Sequence, residues 1–177
     1  MHRSPAGRQA GVATAMTILA WLTLMLLLGL FFQELLQKKE NPNQDPRSQV
    51  FADGAREVTL VRNKWGHYVT HGEINGKTVV FMIDTGATGV AIPAPIAEQL
   101  RLPRGRAVTT QTANGRATAY LTRLDSVRVG DIELNDVEAS ISPGLQTREI
   151  LLGMSFLRHI EFTQRGRTLV LRQGAGP

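Results

Sequence analysis

A run of 21 residues without a charge, Val12–Phe32 (VATAMTILAWLTLMLLLGLFF), restricts this chain more than any other feature. As a helix it would span about 31 Å, which matches the hydrocarbon core of a bilayer. A cleaved signal peptide is the rival reading, and it needs an apolar region of roughly 7–15 residues ending in small side chains. This run is longer and ends in Leu30-Phe31-Phe32-Gln33-Glu34, with no A-x-A site. The reading is therefore an uncleaved anchor, with residues 1–11 as a tail and residues 12–32 as a transmembrane helix. Trp21 lies mid-run and adds apolar bulk, and Gly11 with Ala15 forms one small-xxx-small pair suited to helix–helix contact. Arg3 and Arg8 face Lys38 and Lys39 across the run, so the positive-inside count nearly balances. The short tail with two arginines fits an N-terminus inside, with the bulk of the chain outside the cytoplasm.

The rest of the 177 residues suffices for one ordinary domain and its connection. With 42% hydrophobic and 20% charged residues, the chain can bury a core. The absence of cysteine excludes disulfides, thiolate metal sites, iron–sulfur clusters and cysteine nucleophiles, and leaves the redox compartment open. All fifteen acidic residues and eighteen of the twenty basic ones follow the apolar run, a balance of +3. Such a small excess, with arginines scattered along expected strands, argues against a nucleic-acid partner.

Residues 33–56 (QELLQKKENPNQDPRSQVFADGAR) hold two prolines, several amides and little apolar periodicity, and read as a flexible linker. From Glu57 the texture changes to short β-type runs broken by glycine turns, so residues 57–173 are assigned to one domain and 174–177 to a tail. Tyr68–Ile74 and Lys77–Ile83 flank Asn75-Gly76, the strongest short hairpin signal. Val79–Ile83 is apolar without alternation and is expected to be buried on both faces. Pro93–Leu100 is the one expected helix of the domain. Arg106–Thr112 and Arg116–Leu124 make a second hairpin about Ala113-Asn114-Gly115. Further strands are expected at Ser126–Val129, Ile132–Leu134, Val137–Ile141, Ile150–Leu152, Ile160–Thr163 and Thr168–Arg172. The sum is a small, mostly β, barrel-like domain with one short helix, behind one N-terminal transmembrane helix.

The stretch that carries chemistry is Phe81-Met82-Ile83-Asp84-Thr85-Gly86-Ala87-Thr88. A carboxylate follows an apolar strand directly, and glycine two residues later lets the chain turn sharply. Thr85 can hydrogen-bond locally and stiffen the loop. Read without context, this is an ordinary Asp-Thr-Gly turn.

In its setting, the strand followed by Asp84-Thr85-Gly86-Ala87 resembles the active-site loop of aspartic proteases in the short, retropepsin-like form. The chain is similar to bacterial membrane-anchored aspartyl proteases of that clan over about Gly66–Leu171. The likeness includes Gly72-Glu73-Ile74-Asn75-Gly76, Thr112-Ala113-Asn114-Gly115 and Leu151-Leu152-Gly153-Met154-Ser155-Phe156-Leu157. It implies a small closed β-barrel, with Asp84 catalytic and Thr85, Gly86 and Ala87 supporting its loop. Leu151-Leu152-Gly153 would pass beneath that loop, where glycine permits close backbone approach. Ala113, Asn114 and Gly115 would form the flap that closes over substrate. No second D-[TS]-G exists: Asp53-Gly54 lacks the middle residue, and Asp125-Ser126 is followed by Val127. The implied mechanism needs two carboxylates, so the second Asp84 must come from another copy in a C2 homodimer. The expected activity is endoproteolysis of a protein or peptide substrate without metal or cofactor, at a bacterial inner membrane with the domain in the periplasm. A non-catalytic, membrane-tethered dimerisation or binding module on the same fold is the alternative.

Other candidates are weaker. His67 and His71 share a strand face but have no third zinc ligand near them in sequence. Gly153-Met154-Ser155-Phe156-Leu157 lacks the closing glycine of a nucleophile elbow, and Ser155 with His159 lacks a partner acid. Asp131, Glu133, Asp136 and Glu138 read as solvent-facing groups around a turn without calcium-loop spacing.

Overall fold

The computed structural model describes residues 5–112 and 115–175, with the side chains of 5–10, 12, 13, 34 and 112 left aside. The chain divides into two units, at residues 39 and 40. The first is a single helix, α1 (Pro5–Glu40). Proline suits the first helical turn, and Lys38 and Lys39 in the last turn complement the helix dipole. Over Thr14–Glu40 the helix is long and apolar enough to cross a membrane, by length and composition.

The second unit contains β1 (Arg47–Val50), β2 (Arg56–Val61), β3 (Val69–Ile74), β4 (Lys77–Ile83), β5 (Val90–Pro93) and α2 (Ala94–Leu100). There follow β6 (Ala107–Thr112), β7 (Gly115–Val129), β8 (Ile132–Ser142), β9 (Ile150–Leu152), α3 (Met154–Leu157), β10 (Glu161–Arg165) and β11 (Thr168–Gln173). Four strands form an antiparallel sheet in the order β1-β2-β11-β10. Seven form a mixed sheet, β3-β4-β9-β5-β8-β7-β6. There β3 also pairs with β7 through Glu73–Arg128 and Ile74–Val127, so the sheet curls over its own core. The domain is mostly β, as expected.

One core joins both sheets, with Val58, Leu60 and Leu171 beside Ile74, Phe81, Leu124, Ile141, Leu152 and Phe156. The first hairpin turns as its residues require: Asn75 and Gly76 both have positive φ, 51° and 73°. In β4 the expected burial on both faces is corrected. Val79 and Phe81 are buried, but Val80 and Met82 are half-exposed, because Val80 opens onto a surface groove of about 720 Å³ lined also by Ile96, Leu100 and Leu145.

Three further differences stand out. The hairpin β7–β8 is continuous where the sequence suggested breaks at Asp125 and Asp136. The pairing skips these two residues, and Asp136 takes φ of 60°, so an irregularity replaces a turn. Residues 41–56 carry order where composition suggested a flexible linker. Asn43 is buried, donates to Val61 O (3.0 Å) and Val69 O (2.7 Å), and accepts from Val61 N (2.7 Å). Beyond it β1 pairs with β2. Finally, a second helix, the single turn α3, follows β9.

Candidate active site

Asp84 leaves β4 at the point where that strand runs parallel to β9, with Ile83 opposite Leu152. Its amide donates to Leu152 O (3.2 Å), its carbonyl accepts from Ala87 N (3.2 Å), and its Oδ1 accepts from Gly86 N (2.9 Å). The carboxylate is therefore held by its own loop. It is half-buried, while Thr85 and Gly86 are exposed.

The loop is braced from beneath. Ala87 O accepts from Met154 N (2.9 Å), which ties the loop to the first residue of α3. A Cβ on Gly153 would lie 2.3 Å from Gly89 O, 2.6 Å from Ala87 O and 2.9 Å from Gly89 C. Only glycine admits this approach. Leu152 is buried and Leu151 half-buried, and β9 is wedged between β4 and β5. Thus Asp84 meets Leu152, and Ala87 meets Gly153 and Met154, although about 65 residues separate the two motifs. Of the expected flap, Ala113 and Asn114 lie outside the described residues. Gly115 opens β7 opposite Thr112 with φ of 105°, in the region that favours glycine.

Ser155 has a role that its sequence neighbourhood did not reveal. Its Oγ accepts from Val90 N (3.0 Å) and donates to Glu138 O (2.8 Å), fastening the exit of the Asp84 loop to β8. The hydroxyl is buried and committed to the backbone. Only its place beside Gly153 hinted at this, since its partners lie 65 and 17 residues away.

His71 Nδ1 lies 3.0 Å from Gln44 O, and His67 is exposed. The acidic residues of β8 belong to a ladder of exposed ion pairs: Arg128 with Glu73 (3.6 Å) and Glu133 (3.0 Å), and Arg123 with Asp136 and Glu138. The hydrogen bond from Arg123, opposed by desolvation and aided by the charge of Arg123, holds the Asp136 carboxyl below the usual carboxylate range. Asp131 instead accepts from Ser48 Oγ (2.6 Å).

Comparison with known proteins gives a consistent result. The chain is 34% identical over 116 residues to a Sinorhizobium protein encoded in the cobV 5′ region, covering 64% of this chain and 50% of that protein. It is 31% identical over 109 residues to a Rickettsia prowazekii protein, covering 59% and 46%. The chain thus spans about half the length of the curated relatives it matches. The crystal structure of a retropepsin-like aspartic protease from Rickettsia conorii is similar at 31% identity with a TM-score of 0.55, covering 65% of this chain and 98% of that one. Residues 70–159 match the family described as "gag-polyprotein putative aspartyl protease". That segment holds the Asp84 loop, its Gly153 brace and the strands between them, and the chain belongs to this retropepsin-like aspartyl protease family.

Proposed function

We propose that this chain is a membrane-anchored aspartic endopeptidase whose catalytic dyad consists of Asp84 from two copies. The observation that carries the reading is the Asp84 loop itself: a half-buried carboxylate on a loop that three backbone hydrogen bonds and a side-chain-free Gly153 hold in place. With both Asp84 side chains at a C2 axis, one carboxylate and one carboxylic acid would share a water. The carboxylate takes a proton from that water as its oxygen attacks the peptide carbonyl, and the acid protonates the carbonyl oxygen. Collapse of the resulting diol breaks the C–N bond and delivers a proton to the leaving amine. Thr85, Gly86 and Ala87 keep the loop in shape, and residues 113–115 serve as the flap over substrate.

Two features of the domain support a homodimer. Thr85 and Gly86 are exposed beside the half-buried Asp84. Strand β10 is an open edge with all five residues exposed, Phe162 by 42%. Antiparallel self-pairing about Thr163 would set Glu161 of each copy opposite Arg165 of the other, and would cover Phe162. Helix α1 supplies the anchor, in a bacterial inner membrane with the domain on the periplasmic side. The test is cleavage of an unfolded protein by the full chain in detergent or liposomes, wild type against Asp84→Asn. Cleavage by the first and none by the second supports the reading, and equal cleavage by both overturns it.

A further inference from the structure

We infer that the loop Asn63–His67 is a contact surface for anionic phospholipid, seating the domain on the membrane that its own helix crosses. The inference rests on the reading of α1 as a membrane span. Trp65 is 57% exposed at the tip of this loop. Its loop is firmly built: Asn63 Oδ1 accepts from the amides of Trp65 and His67 (3.0 Å each), and Asn63 N donates to His67 O (2.8 Å). The buried Asn63 has a second duty, since its Nδ2 donates to Glu40 O (3.0 Å). Lys64 Nζ stands 3.6 Å from the Glu40 carboxylate and 4.1 Å from the Trp65 ring centre.

The loop that displays Trp65 is thereby bonded to the residue at which the domain's chain begins. Tryptophan favours the membrane–water interface because its ring is apolar and its indole N–H polar.

The charge around Trp65 suits the same partner. Arg62 and Arg167 are joined backbone to backbone (Arg62 N to Arg167 O, 2.9 Å), and the Arg167 guanidinium donates to Arg62 O (3.2 Å). With Lys64 they make three cations against Glu40. Basic side chains near a bilayer are drawn to anionic headgroups, and each such contact is modest and additive.

The experiment uses the full chain in liposomes. Trp21 and Trp65 are its two tryptophans, so Trp21→Phe leaves Trp65 as the only reporter and Trp65→Phe leaves Trp21. In phosphatidylglycerol-containing vesicles, Trp65 emission should shift to the blue. Lipids brominated near the carbonyl region should quench it, and its acrylamide quenching should fall about twofold relative to neutral phosphatidylcholine vesicles. Lys64→Glu with Arg167→Glu should abolish the difference between the two lipids. Water-like Trp65 emission that is the same in both lipids, with Trp21 quenched by deep acyl-chain bromines, overturns the contact and leaves the span standing. Failure of the deep bromines to quench Trp21 removes the span, and this inference with it.

Discussion

Replacement of Gly153 by alanine tests whether the brace beneath the Asp84 loop is a steric necessity. The new Cβ would sit 2.3 Å from Gly89 O and 2.6 Å from Ala87 O, far inside van der Waals contact, and both neighbours are backbone. Relief therefore requires the loop and β9 to move apart by about 1 Å, an overpacking cost of roughly 1–3 kcal/mol. That movement also weakens the bond from Met154 N to Ala87 O, worth about 1 kcal/mol. The sum is about 2–4 kcal/mol, or roughly 6–16 °C in Tm for a domain of this size. Thermal unfolding of the detergent-solubilised full chain, followed by near-UV circular dichroism, measures it. Gly144→Ala is the control, because a Cβ there meets nothing within 4 Å and Gly144 has no positive φ, so its Tm should stay within about 2 °C of wild type. Equal Tm values for Gly153→Ala and Gly144→Ala would refute the argument.

Asp84→Asn should abolish cleavage while the unfolding midpoint stays near wild type, because the amide is nearly isosteric and only the proton chemistry is lost. Ser155→Ala strands the buried Val90 N and the Glu138 O that it bridges, so it should cost about 1–3 kcal/mol in denaturant unfolding. It should also lower kcat more than it raises KM, since the loop exit is released and the substrate surface is untouched. Arg123→Ala should return Asp136 to an ordinary carboxylate titration in an NMR pH series. The sign follows from linkage: a carboxyl depressed in the folded state contributes stability above its unfolded pKa and loses it as pH falls through the lower folded value. Any acid destabilisation from this exposed pair should therefore appear only below about pH 4 and be absent from the variant.

The features legible in the sequence were those whose cause is local or whose motif is compact. Asn75-Gly76 dictates its own turn, and an apolar strand running into Asp84-Thr85-Gly86 marks its own loop. Gly153 was legible through resemblance alone, because nothing near it in sequence announces that Ala87 and Gly89 lie against its Cα. Strand β1 is exposed at every position, so it has no burial alternation to read. The order around Asn43 depends on Val61 and Val69, 18 and 26 residues away, while composition there reports only prolines and amides. Asp125 and Asp136 looked like strand breaks because aspartate favours turns. Long-range pairing of β7 with β8 carries the ladder past both. Ser155 combined these difficulties, with distant partners and a neighbourhood that suggested other chemistry.

The central claim, that each chain holds half of a dyad, is tested most directly by mixing. Wild type and Asp84→Asn chains, dissociated and reassembled at equal amounts in one membrane, should form random dimers. Heterodimers would carry one carboxylate and be inactive, so activity should fall with the square of the wild-type fraction, to about a quarter of an equal total of wild type. A linear fall, to about half, would mean that each chain is catalytically complete, and would contradict the shared dyad.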